Sequence, residues 1–139
     1  LTPDAVKLVV NVDGGARGNP GPAAIGVSVR DGEGNVIDEF AERIGDATNN
    51  VAEYRAVLAG VRRATELGAT ELELVSDSEL VARQLTGAYK VKHEAMKPLY
   101  SRARAALEPF GDRWRIRNVP RAQNARADAL VNEALDGLR

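Results

Sequence analysis

A chain of 139 residues, 44% hydrophobic and 28% charged, can form one domain with a substantial core and carries no low-complexity tract. A net charge of −1 excludes a global field that would drive it onto a polyanion, so any nucleic-acid contact must come from local basic patches. With no cysteine there is no disulfide or thiolate chemistry, which favours a reducing compartment. No apolar run approaches the roughly 18 residues of a membrane span and no signal peptide is visible, so the expectation is a soluble, cytoplasmic protein, monomeric by default, with no membrane partner. The chain starts at Leu1 rather than Met, which fits a domain cut from something longer.

Val6, Leu8, Val10 and Val12 alternate with Lys7, Val9, Asn11 and Asp13, the pattern of a strand that ends on Asp13. Ile25, Val27 and Val29 alternate in a second strand. "DGEGN" (31–35) is a hairpin turn and a third strand returns from Val36 to Ile44. At 48–68 the period becomes helical, with Thr48 or Asn49 as cap and Gly68 as stop. A strand over 71–77 ends on Asp77, and a short helix over 77–87 follows, capped by Asp77 or Ser78. A helix over 94–108, a strictly alternating strand "RWRIRNV" (113–119) and a helix over 124–138 complete the order βββαβααβα. This predicts a single α/β domain over 1–139, a mixed five-stranded sheet flanked by helices, with the first three strands antiparallel.

"DGGARGNPGP" (13–22) crowds glycine and proline behind a strand-end carboxylate. A phosphate cradle needs glycines that lead directly into a helix. Here Pro20, Pro22 and a strand follow, so the stretch reads as a glycine-rich loop between strands and not as a nucleotide site.

Four carboxylates stand out. Asp13 and Asp77 end strands. Glu53 lies within about 40° of Val57, Gly60, Ala64 and Leu67 on its helix and points into the small, apolar side. Asp128 borders the apolar stripe of the last helix. Each alone fits a cap, a buried ion pair or a surface residue. Together, at the strand ends where α/β sites assemble, and with no lysines beside them, they point to hard divalent cations such as Mg²⁺ or Mn²⁺. Two such ions about 4 Å apart are a standard device for in-line phosphodiester displacement.

"VDGGARGNPGPAAIG", "TNNVAEYRAVLAG", "VSDSELV" and "RAQNARADALVNEAL" resemble, in order and spacing, the four blocks of type 1 ribonuclease H, across almost the whole chain. The resemblance implies the ribonuclease H-like fold. It also implies hydrolysis of the RNA strand of RNA–DNA hybrids, leaving a 5′-phosphate and a 3′-hydroxyl. Asp13, Glu53, Asp77 and Asp128 match the metal-site acids, with two Mg²⁺ as cofactors and Mn²⁺ as a substitute. Gly14, Gly15, Ala16 and Asn19 match the loop that meets the RNA minor groove, where 2′-hydroxyls distinguish RNA from DNA. Thr48 matches a DNA-phosphate contact, Asn49 and Asn50 match base contacts, and Ser78 joins the substrate contacts.

Three features depart from the family pattern. The loop before the fourth acid carries Arg121 where members often have a histidine, and arginine cannot shuttle a proton. The segment "TGAYKVKHEAMKPLY" is too short for the extra basic helix of some members. Glu79 stands two residues after the third acid, where an uncharged residue is common. The missing histidine and short segment resemble an actinobacterial and archaeal subgroup, sometimes fused to a second domain. Lys90 and Lys92 around Tyr89 are expected to hold the DNA strand, and Arg121 a phosphate. His93 is expected at the surface, and Arg113, Arg115 and Arg117 on a solvated strand face. The competing readings are a non-catalytic hybrid-binding module, disfavoured because a pure binder has no use for four acids facing a polyanion, and an exonuclease or integrase-like relative, disfavoured by the GNPGP and TNN blocks.

Overall fold

The computed structural model describes residues 5–138 and has the expected element order, with two short 3₁₀ turns added. Strands β1 (Lys7–Ala16), β2 (Gly21–Arg30) and β3 (Val36–Ala47) form an antiparallel meander. Helix α1 (Asn49–Glu66) leads to β4 (Glu71–Ser76), which pairs parallel to β1. Helices α2 (Glu79–Leu85) and α3 (Lys97–Leu107) precede β5 (Trp114–Asn118), parallel to β4, and α4 (Ala125–Leu135) closes the domain. The sheet order is β3-β2-β1-β4-β5. The 3₁₀ turns are Glu108–Phe110 and Arg121–Asn124.

Both faces of the sheet are covered, which explains why β1 and β2 are buried along most of their length. On one face the main core joins Val10, Val12, Val27 and Leu74 to Tyr54 and Val57 of α1, Leu85 of α2 and Leu107 of α3. On the other, α4 sets Val131 and Ala134 against Ala24 of β2. Tyr54, fully buried, donates its hydroxyl to Gln84 and so fastens α1 to α2. Thr48 is the α1 cap, its Oγ1 accepting from Val51 N–H at 3.2 Å, and Ser78 is the α2 cap. Among the described residues no helix is long and apolar enough to cross a membrane.

Three expectations are corrected. Asp13 does not end the first strand: β1 continues to Ala16, still paired with β2 through Ala16↔Ala23. The glycine-rich "loop" is therefore mostly ladder, and only residues 17–20 turn the chain. The predicted helix over 94–108 begins at Lys97, after a turn closed by Met96 N–H to His93 C=O. The helix predicted over 124–138 runs from Ala125 to Leu135.

The glycines inside these strands serve close approach rather than flexibility. A Cβ on Gly14 would lie 2.2 Å from the carbonyl carbon and oxygen of Ala52 in α1. A Cβ on Gly26 would meet Ala127 O of α4 at 2.5 Å. Each helix therefore rests its backbone directly on the sheet. Gly26→Ala is expected to cost about 1–3 kcal/mol in urea unfolding by overpacking. Gly32→Ala, at a turn position with nothing within 4 Å, should change stability by less than about 1 kcal/mol. Equal effects would show that α4 does not need this approach.

Candidate active site

The pairing pattern itself opens the site. β1 runs parallel to β4 only as far as Asn11↔Val75, whereas its ladder with β2 continues five residues further. Past Asn11 the two parallel strands part, leaving Asp13 on one lip of the gap and Asp77, directly after β4, on the other. This is the strand-end crevice where α/β sheets place their chemistry.

Asp13 and Gly26 are register partners, so the Asp13 side chain points to the face that α4 covers. Because Gly26 admits α4 to backbone contact, Asp128 in its first turn comes to Asp13. Gly14 does the same on the opposite face: it seats the Ala52–Glu53 peptide of α1 and brings Glu53 to the gap from the other side. The resulting cleft, about 250 Å³, is lined by Asp13, Glu53, Asp128, Asn49, Arg121 and Asn132, among others.

The electrostatics show how close these acids are. Asp13 is only 9% exposed. Burial, then the charges of Asp77, Asp128 and Glu53, push its carboxyl up from 3.8 to about 8. Burial also raises Glu53, an effect opposed by a hydrogen bond from the Ser78 hydroxyl. Asp77 is raised by burial and partly restored by Arg121, whose Nε lies 3.8 Å from its Oδ2. That oxygen is buried and accepts no hydrogen bond.

Among the described residues, no three acid or histidine groups close to the spacing that grips one ion. The acids act on Asp13 and on one another across the cleft, without closing into a three-ligand cluster. The donor set nevertheless fits a hard divalent cation. It is all oxygen, it has one exposed arginine as counter-charge, and it includes a buried, unsatisfied carboxylate oxygen on Asp77.

The residues expected at the substrate divide into groups. Gly15 and Ala16 line the cleft, while Gly14, though at its edge, is buried under α1. Asn19 and Asn49 bind each other and the hairpin: Asn49 N–H donates to Asn19 Oδ1 at 3.0 Å and Ala16 N–H donates to Asn49 Oδ1 at 2.8 Å. Asn50 is exposed on the first turn of α1. Ser78 faces inward, to Glu53 and to Val81 N–H. Tyr89, Lys90 and Lys92 are exposed on the segment after α2 and do not line the cleft. Glu79 points away to Arg83 Nε at 2.8 Å and the Tyr89 hydroxyl at 3.4 Å, so no second charge disturbs Asp77 from there. His93 is exposed, its Nδ1 accepting from Ala95 N–H.

Sequence reasoning passed over a buried polar chain. Asn124, 1% exposed, donates to Val12 C=O at 2.9 Å and accepts from Asn11 Nδ2 at 3.0 Å; Arg30 in turn donates to Asn11 Oδ1 at 2.8 Å. This pins the start of α4 beside Asp13, one turn before Asp128. The signal was present: Asn11 shares a strand face with Asp13, and Asn124 precedes Asp128 by one helical turn. A second buried acid was also missed. Glu73 of β4 lies under Arg115, in contact, and Arg117, at 3.8 Å, so these two arginines neutralise an internal charge.

A mixed sheet in this order, with carboxylates converging where its central parallel strands part, defines a ribonuclease H-like domain. A family model described as "Reverse transcriptase-like" matches residues 11–134. The chain is 49% identical over 124 residues to the Ribonuclease HI of Halobacterium salinarum, which covers 89% of this chain and 62% of that protein. It is 47% identical over 132 residues to the bifunctional protein Rv2228c of Mycobacterium tuberculosis, covering 94% of this chain and 36% of that protein. The structure of the N-terminal RNase H domain of Rv2228c superimposes with a TM-score of 0.91, covering 96% of both chains. LC11-RNase H1, solved in complex with an RNA/DNA hybrid, is 41% identical with a TM-score of 0.89, covering 94% of this chain and 98% of that one. The chain belongs to the ribonuclease H family, and within it to type 1.

The raised Asp13 carboxyl sets a pH dependence. The folded state binds this proton more tightly than the unfolded chain, so it holds more protons between 3.8 and about 8, and stability falls as pH rises across that window. In EDTA, the free energy of unfolding is expected to decline from pH 4 towards pH 8, and Asp13→Asn should flatten the decline. Parallel pH profiles for the two proteins would contradict the placement of Asp13.

Proposed function

We propose that this protein is an endonuclease that hydrolyses the RNA strand of RNA–DNA hybrids, leaving a 5′-phosphate and a 3′-hydroxyl, with two divalent cations held by Asp13, Glu53, Asp77 and Asp128. The observation that carries this reading is the crowding of three acids, Glu53, Asp77 and Asp128, around the buried Asp13 carboxyl. A binding module that faces a polyanion has no use for that cost, which disfavours the non-catalytic alternative. When bound, Mg²⁺ or Mn²⁺ would stabilise charge on the phosphoryl oxygens and activate water for in-line attack.

The chain's own groups set the rest. Ser78 holds the Glu53 carboxylate by donating its hydroxyl hydrogen. The Asp13 proton must leave before its oxygens can serve as ligands, which couples activity to pH. Since the side-chain oxygens of Asn19 and Asn49 are engaged internally, their Nδ2 donors are the groups left for 2′-hydroxyl and base acceptors in the minor groove. Arg121, 80% exposed, can turn its guanidinium from Asp77 to the scissile phosphate. It holds charge there and moves no proton. The water oxygen bonds to phosphorus and its proton passes to solvent, the P–O3′ bond breaks, and the leaving oxygen takes a proton from solvent water to become the 3′-hydroxyl. Tyr89, Lys90 and Lys92 lie on exposed chain beyond the cleft, where the DNA strand of a hybrid spanning the site would pass.

A hybrid, a duplex RNA and a duplex DNA of one sequence, each with Mg²⁺ and with EDTA, test the proposal. Only the hybrid with Mg²⁺ should be cut, in its RNA strand. Asp77→Asn should lower kcat by at least about 10³-fold while hybrid binding survives. Arg121→Ala should cost about 1–2 kcal/mol, roughly ten- to thirty-fold, and His93→Ala less than about threefold. Cleavage retained by Asp77→Asn would defeat the assignment.

A further inference from the structure

A second surface carries uncompensated charge. Among the described residues, Arg55, Arg62 and Arg102 have no ion pair or hydrogen bond, and all three line one groove over α1 and α3. Every other described arginine holds a carboxylate, carbonyl or amide oxygen within the chain. Arg55 and Arg62 are seven residues apart on α1, on one side of the helix and about 10 Å apart along its axis. Arg102 answers from α3. Glu42 and Glu66 also border the groove, yet neither comes within 4 Å of these arginines in an ion pair, and the lining stays net positive.

The floor is aliphatic. Val51, Leu58, Ala59 and Leu99 line one section, of about 450 Å³. Ala105, Ala106 and Pro109 line the adjoining section, of about 620 Å³, which shares Arg62 and Arg102. Neither section shares a residue with the catalytic cleft. We propose that this groove docks an acidic, aliphatic-rich peptide segment of a partner protein: side-chain carboxylates pair with Arg55, Arg62 and Arg102, and apolar side chains settle on Leu58, Ala59 and Leu99. Charge complementarity requires an anion. The floor selects a peptide over a nucleic-acid strand, because no aromatic ring lines either section to stack a base. Guanidinium forks match carboxylates in geometry, and the aliphatic floor supplies the non-directional part of the affinity.

A short fluorescent peptide of alternating Asp and Leu, followed by polarisation against the whole chain at low salt, tests the proposal. A peptide of alternating Asn and Leu and a single-stranded oligodeoxynucleotide serve as comparison probes. Saturable binding of the Asp–Leu peptide is expected. It should weaken at least about tenfold in Arg62→Glu/Arg102→Glu and fall with added salt. The Asn–Leu peptide should bind at least about tenfold more weakly than the Asp–Leu peptide. Hybrid cleavage by the double variant should stay unchanged, which also shows that it folds. Arg55→Ala, a milder change, should weaken peptide binding without touching cleavage. Three results would overturn the proposal: no saturable binding of the Asp–Leu peptide, equal binding by the double variant, or oligonucleotide binding that exceeds peptide binding and is lost in the double variant. The last would mark a nucleic-acid surface instead.

Discussion

Everything in the site depends on two backbone contacts made through missing side chains. α1 rests on Gly14 and α4 rests on Gly26, on opposite faces of neighbouring strands and within one residue of the plane of Asp13. A methyl group at either place would hold its helix off the sheet and carry Glu53 or Asp128 away with it. The buried asparagine pair then fixes where α4 begins, since Asn124 spends both ends of its amide on β1. Geometry set by backbone and by fully satisfied buried amides is stiff, which suits ligands that must keep their positions against their own repulsion.

That repulsion is the cost of the arrangement. Asp13 is desolvated and faces three other acids, and the cation aimed at this group, Arg121, is mostly in water. Elsewhere the protein pairs its sheltered acids: buried Glu73 with Arg115 and Arg117, half-buried Glu39 with both arms of Arg126. Among the described buried acids, the cluster around Asp13 is the one left short of positive charge, a deficit that fits the proposed cation.

Much of this was legible in the sequence. Alternation gave the five strands, a helical period and a threonine cap gave α1, and the four acids stood out because each occupies a position where a charge is costly. What misled was glycine. In "DGGARGNPGP" glycine and proline read as a loop, but Gly14 and Gly15 sit in a paired strand because a helix backbone presses on the first of them. Local propensity cannot register a neighbour from 38 residues away in sequence. The same limit hid Asn11 and Asn124, polar residues whose value lies in a partner more than a hundred residues distant. Arg113, Arg115 and Arg117 read as a solvated row, and all three are exposed, but Arg115 and Arg117 also cover Glu73, whose burial depends on sheet order rather than on its own strand pattern.

If the four acids hold a divalent cation as proposed, the Asp13 carboxyl keeps its proton until the ion arrives. Calorimetric titration with Mg²⁺ at pH 7, in two buffers of different ionisation enthalpy, measures this directly through the protons released. Release of about one proton is expected as the site fills, with that release absent in Asp13→Asn. Binding with no proton release, or the same release from Asp13→Asn, would contradict it.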